Sequence, residues 1–155
     1  MPSRPKFVSE VIEQARLEGG MPEADAVTRI VEWAEAHGLR PTATPNHPAK
    51  GIGYQPTVQG IAGLDPFPIG VYPKRRGLVV EIGHLQKRKP FDSEDLRNEL
   101  RCRLAEAVPD VDWSLGRKSH YPDVPLAVLT EGDSLDRFLR VIDWVIARIK
   151  RIHGA

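Results

Sequence analysis

Between Pro41 and Pro73 the chain carries 7 prolines and 5 glycines in 33 residues. Proline has no amide hydrogen to give a helix interior or a central strand, and glycine leaves the backbone loosely specified. This stretch predicts turns and short extended pieces, with strands near Ile52–Val58 and Phe67–Tyr72. Long regular elements have to lie on its flanks.

The N-terminal flank reads as two helices. Phe7, Val8, Val11, Ile12 and Ala15 recur at helical spacing over residues 6–18, and Gly19-Gly20 closes the run. A second helix extends from about Pro22, which suits a first helical position, to His37. Val27, Ile30, Val31 and Ala34 form its apolar stripe, Trp33 flanks the stripe, and Gly38 ends it.

The C-terminal flank opens on Leu78–Gln86, the strongest strand signal in the chain. Pro73-Lys74-Arg75-Arg76-Gly77 would join it to Phe67–Tyr72 as an antiparallel hairpin. Asp92 or Ser93 caps a helix to about Ala107, with Leu96, Leu100 and Leu104 inward and Glu99–Arg103 paired along its surface. Val124–Leu129 reads as a last strand. The final helix, from about Ser134 to Arg151, has the apolar face Leu135, Phe138, Leu139, Ile142, Ile146 and Ile149. This order predicts an α+β fold: a small antiparallel or mixed sheet covered by helices, with two N-terminal helices and a long C-terminal one. Residues 1–155 read as a single domain, with helix 1–20 peripheral to a core of 21–152.

Composition excludes some functions. The formal charge is +1, from 22 basic and 21 acidic residues, so no global field draws the chain to nucleic acid or membrane. Residues 70–120 nevertheless carry 11 basic against 8 acidic side chains. The N-terminus lacks a long apolar leader, and no run approaches the roughly 18 apolar residues of a membrane span. The expectation is a cytoplasmic protein without a membrane partner. Cys102 is the only cysteine, and His37, His47, His84, His120 and His153 show no metal-ligand spacing. Neither metal nor cofactor is expected.

Glu81 is the lone carboxylate inside Leu78–Gln86. On one continuous strand, Val79, Glu81, Gly83 and Leu85 would share a face, and Leu78, Val80, Ile82 and His84 the other. The element order is also that of restriction-endonuclease-like cores. Active members place an Asp on one strand and Glu-x-Lys on the next, to hold Mg²⁺ and position the attacking water. Here Gly83 stands in place of the Lys, and the upstream acid Asp65 lies in a turn-like Gly-Leu-Asp-Pro. Asp65 and Glu81 are the catalytic candidates of this nuclease alternative. Otherwise Glu81 sits near a sheet edge or pairs with a local arginine.

The basic residues form three groups: Lys74-Arg75-Arg76 at the hairpin tip, Lys87-Arg88-Lys89 beyond the strand, and Arg117-Lys118 in the loop after Trp113. A strand of about ten residues would hold the first two groups roughly 30 Å apart. On a helical wheel Trp144 falls opposite the apolar face of the last helix, beside Arg137, Arg140, Arg148 and Arg151, where it could stack a base or meet a partner. Arg75, Arg76, Lys87, Arg88, Arg117, Lys118 and Trp144 are the contact candidates for DNA, RNA or a protein partner.

Gly77-Leu-Val-Val-Glu-Ile82, Phe91-Asp92 opening a helix with Leu96 and Leu100, Val111-Asp-Trp113, Gly116-Arg-Lys-Ser119 and Val141-Ile-Asp-Trp-Val-Ile146 follow one another over residues 50–152. In order and spacing they resemble a group of uncharacterised bacterial α+β domains associated with restriction-nuclease-like and other defence proteins. The resemblance implies an accessory or recognition module without an assigned reaction. It places Trp113 and Arg117-Lys118 on a shared loop and Trp144 on a shared helix. In that group the domain trails a larger chain, whereas only two short helices precede it here, which points to a self-standing homodimer. Three expectations follow: a non-enzymatic binding module, a degenerate metal-dependent nuclease, or a homodimeric structural protein.

Overall fold

The computed structural model describes residues 4–43, 50–55, 68–113 and 120–152. Asp65, Arg117 and Lys118 lie outside the described residues. Helices α1 (Lys6–Gly19) and α2 (Met21–Ala36) meet at Gly20, which ends one and starts the other. Its φ of 83° with ψ of −176° belongs to a region that only glycine enters freely. Strands β1 (Arg40–Ala43), β2 (Ile52–Gln55) and β3 (Ile69–Tyr72) follow, and a 3₁₀ turn, Pro73–Arg75, leads into β4 (Gly77–Val80). After these come a single helical turn α3 (Ile82–Leu85), α4 (Glu94–Ala107), β5 (Asp123–Pro125), a second short turn α5 (Leu126–Leu129) and α6 (Ser134–Ile152).

The five strands pair antiparallel in chain order, β1-β2-β3-β4-β5. The fold is therefore α+β, with an antiparallel sheet, two N-terminal helices and a long C-terminal helix, as the element order predicts. Register explains which face is core. Tyr54, Ile69 and Val80 align across the sheet, as do Ile52, Val71, Leu78 and Val124, and all seven are buried. They share one core with Val27, Ile30 and Val31 of α2, Leu100 and Leu104 of α4, and Phe138, Ile142 and Ile149 of α6. Val8, Val11 and Ala15 of α1 join the same core. On the opposite face Gly53, Gly70, Val79 and Asp123 align across β2 to β5, and Tyr72 packs with Val79 as a separate small cluster.

Two strand expectations are corrected. Leu78–Gln86 is not one strand: β4 stops at Val80. Glu81 N still bonds the carbonyl of Pro68 (2.9 Å), but Glu81 itself turns to φ −84°, ψ 59°. Its carbonyl then accepts from His84 N (3.1 Å) and Leu85 N (3.0 Å). The reason lies in spacing. Ile82 and Leu85 are both fully buried, which positions three apart achieve on a helical turn and not on a strand. The face parity expected beyond Val80 fails, and with it the separation of basic groups by a long strand. Likewise Val124–Leu129 splits into β5 and α5, so that Leu126 and Leu129 both reach the core. The sequence also hides β1, whose Pro41 is tolerated because β1 is an edge strand.

Candidate functional site

The basic residues differ sharply in what surrounds them. At the hairpin tip, Arg75 donates through Nη2 to both carboxylate oxygens of Asp123 (3.0 Å each), and its guanidinium lies 5.9 Å from the Tyr72 ring centroid. Arg76 holds Glu23 with two bonds, Nη2 to Oε2 at 2.5 Å and Nε to Oε1 at 3.2 Å. Glu23 is only 4 % exposed, and a Cβ on Gly19 would stand 2.2 Å from its carboxyl carbon, so the helix junction leaves room for it. Arg76 also adopts a left-handed backbone (φ 51°), and its carbonyl accepts from Leu126 N at 2.9 Å. This tip is bound into the fold on three sides.

Lys87, Arg88 and Lys89 follow α3 in the turn before α4. All three are exposed, and none forms an ion pair among the described residues. Ser93 caps α4 just beyond them, its hydroxyl accepting from Leu96 N at 3.3 Å.

Trp144 is half-buried rather than free. Phe91 meets its ring edge-on at 5.8 Å, and two guanidinium groups flank the indole: Arg103 of α4 at 4.4 Å and Arg148 at 5.6 Å from the centroid. Arg137 turns away to the carbonyl of Ala107 (3.1 Å) and the carboxylate of Asp133. Phe91 and Arg103 of α4 thus lie against the indole from within the chain.

Glu81 stands at the far end of β4, on the sheet face that carries Gly70 and Tyr72. It is 6 % exposed, and among the described residues its carboxylate accepts one hydrogen bond, from Tyr72 OH to Oε1 at 3.3 Å. Oε2 lies 3.7 Å from His84 Nε2, and a Cβ on Gly70 would stand 2.9 Å from Oε1. Burial is the largest influence on its acidity and pushes its pKa up to about 7. The Tyr72 hydrogen bond and Arg75 pull the other way, while Asp123 adds to the rise. Burial and the neighbouring Glu81 push Tyr72 up to about 12. Next to this pair, His84 meets the Tyr121 ring edge-on at 5.8 Å, and Tyr121 lies where a Cβ on Gly83 would be, 2.2 Å from its ring. Tyr72, Glu81, His84 and Tyr121 thus follow one another in successive contacts at this end of β4.

Sequence reading singles out Glu81, Arg75, Arg76, Lys87, Arg88 and Trp144, and the fold scatters them. Glu81 and Arg75 come near one another across Tyr72 and Asp123, whereas Arg76, Lys87-Arg88 and Trp144 each stand in separate surroundings. Tyr72, Tyr121 and Asp123 escaped notice. The signal that could have found the two tyrosines is glycine in apolar surroundings, Gly70 in β3 and Gly83 in α3, where close approach leaves no space for a side chain. Among the described residues no three of His, Cys, Asp and Glu gather as a metal-binding group. No described helix is long and apolar enough to cross a membrane. No protein-family model, curated protein or solved structure matches the chain.

Proposed function

We propose that the chain is a non-enzymatic, single-domain binding module that contacts nucleic-acid phosphate through the turn Lys87–Lys89. One observation carries this reading. These three consecutive cations are exposed and lack carboxylate partners among the described residues, while Arg75 and Arg76 are engaged within the fold. Cations without an internal counter-charge break no ion pair of the fold when they meet phosphate. The resemblance to defence-associated accessory domains supports the setting, a cytoplasmic protein working beside other components.

The test is binding to short single- and double-stranded DNA across a salt series. Three phosphate contacts imply an affinity loss of roughly 40-fold between 50 and 200 mM salt on duplex DNA. A variant with Lys87, Arg88 and Lys89 all changed to Ala should flatten that dependence, and Arg75→Ala should leave it intact. Absence of binding at low salt would overturn the nucleic-acid reading and leave an acidic protein surface as the partner of this turn.

A second reading keeps the degenerate metal-dependent nuclease, with Glu81, buried at the end of β4, as its carboxylate candidate together with Asp65 outside the described residues. Cleavage dependent on Mg²⁺ or Mn²⁺ and lost in Glu81→Ala would carry it. No cleavage in either metal by the folded protein would dismiss it. The homodimer alternative loses Trp144 as an open contact, because Phe91, Arg103 and Arg148 lie against its ring.

A further inference from the structure

A cleft of about 360 Å³ opens between α1 and the neighbouring ends of the sheet. Phe7 and Val11 of α1 and Pro73 of the 3₁₀ turn give it apolar walls, with Ala43 at the end of β1 closing one side. Its volume falls at the lower end of the roughly 300–1,000 Å³ typical of small-molecule sites. The polar rim is unevenly charged. Lys50 and Lys74 both line the cleft, and neither forms an ion pair among the described residues. The one acid on the rim, Glu10, has Lys6 at 4.0 Å, and the Gln14 amide donates to Glu18 at 2.7 Å. Two lysines without an ion-pair partner among the described residues therefore line a partly apolar hollow whose one carboxylate has a cation 4.0 Å away.

The backbone at the rim is also unusual. Lys50 has φ of 35°, a left-handed conformation that lysine seldom adopts. The following residue has to be glycine, because a Cβ on Gly51 would stand 1.9 Å from the carbonyl oxygen of Val71. Strained backbone of this kind persists where surrounding structure imposes it, and it recurs at ligand sites. The tight β2–β3 approach at Gly51 thus places Lys50 at the cleft, and the hairpin tip brings Lys74.

We propose that this cleft binds a small amphipathic carboxylate, its apolar part against Phe7, Val11 and Pro73 and its carboxylate between Lys50 and Lys74. The lysine ammonium is a compact point charge with rotatable donors, suited to a carboxylate that enters from solvent. Apolar contact alone would accept an alcohol or an amine of the same length equally well. The two cations are what make the site choose.

The experiment compares octanoate, octan-1-ol and octylammonium by ¹⁵N-resolved NMR titration of the full chain. Octanoate should bind at least tenfold more tightly than octan-1-ol, octylammonium should bind weakest, and shifts should centre on Phe7, Val11, Gly51 and Lys74. Changing both Lys50 and Lys74 to Gln should erase the preference for octanoate over octan-1-ol. Both side chains are exposed, so the fold should survive, and the three-ligand comparison on the unaltered protein stands even where a variant fails. No saturable shifts at millimolar octanoate, equal affinity for acid and alcohol, or shifts centred elsewhere would each overturn the proposal. None of these residues belongs to the Lys87–Lys89 turn, so DNA binding and octanoate binding succeed or fail independently.

Discussion

The two ends of strand β4 each hold a buried carboxylate, and they are managed in opposite ways. Ahead of the strand, Glu23 is gripped by both arms of Arg76. After it, Glu81 has a single long hydrogen bond from a phenol and no arginine in contact among the described residues. Exposure is nearly the same, 4 % and 6 %. Burial alone therefore does not decide what a carboxylate contributes. A charge paired with a guanidinium ties helix to hairpin, whereas one left to a tyrosine becomes a group that titrates near neutral pH.

The largest expected effect comes from Glu81 and pH. Its pKa is about 7 in the folded chain against 4.5 for the free side chain, so the folded state holds this proton more tightly. Stability from this group is complete at low pH, declines as pH rises from about 4.5 to about 7, and then levels off. The decline amounts to at most about 3 kcal/mol at 1.36 kcal/mol per unit. Glu81→Gln, which cannot ionise, should match the unaltered protein in urea unfolding at pH 4 and exceed it at pH 8. Differencing the two proteins removes the contributions of titrating groups remote from Glu81. Equal stability differences at both pH values would mean that folding leaves the acidity of Glu81 unchanged, and burial would not be acting on its charge.

Next is the paired end. Arg76→Ala leaves Glu23 buried without its cation and should cost roughly 1.5–3 kcal/mol, the range for hydrogen bonds to charged groups. Arg75→Ala removes a half-exposed pair with Asp123 and should cost less than about 1 kcal/mol. Urea midpoints of the two variants decide the matter. Equal losses would show that the Arg76–Glu23 bond behaves as an ordinary surface pair, and the contrast between the two strand ends would lapse.

Little of this contrast could be read from the chain. The helices were legible because their apolar positions repeat every three or four residues and their ends carry local signals: Pro22 at the start of α2, Ser93 before α4 and Gly38 after α2. The β3–β4 hairpin was legible for similar local reasons. Leu78–Gln86 misled because Leu78-Val79-Val80-Glu81-Ile82 is rich in β-branched residues, while the choice of helix after Val80 is made by the core accepting both Ile82 and Leu85, and by Tyr121 lying against Gly83. The Glu23–Arg76 bond spans 53 positions and leaves no local trace. Glu81 did stand out, as an acid in an apolar run, but its surroundings depend on Tyr72, Gly70 and Asp123 from other strands. Lys74-Arg75-Arg76 and Lys87-Arg88-Lys89 look alike as text. Only the topology brings Asp123 and Glu23 to the first group.

The smallest expected effect tests the phenol itself. Tyr72 OH donates to the ionised carboxylate at 3.3 Å, a long contact that favours the charged form and holds the Glu81 pKa below where burial alone would set it. Tyr72→Phe keeps the ring against Val79 and removes only this donor. Neutral hydrogen bonds contribute about 0.5–1.5 kcal/mol, and a long one belongs at the low end, which converts to an upward move of roughly 0.4 unit. A ¹³C titration following the Glu81 carboxyl carbon reads the midpoint directly. An upward move assigns part of the balance at this end of β4 to the phenol. A midpoint that stays put would mean that the phenol has no share in the balance, leaving burial to set the charge of Glu81 while Asp123 and Arg75 act in opposite directions.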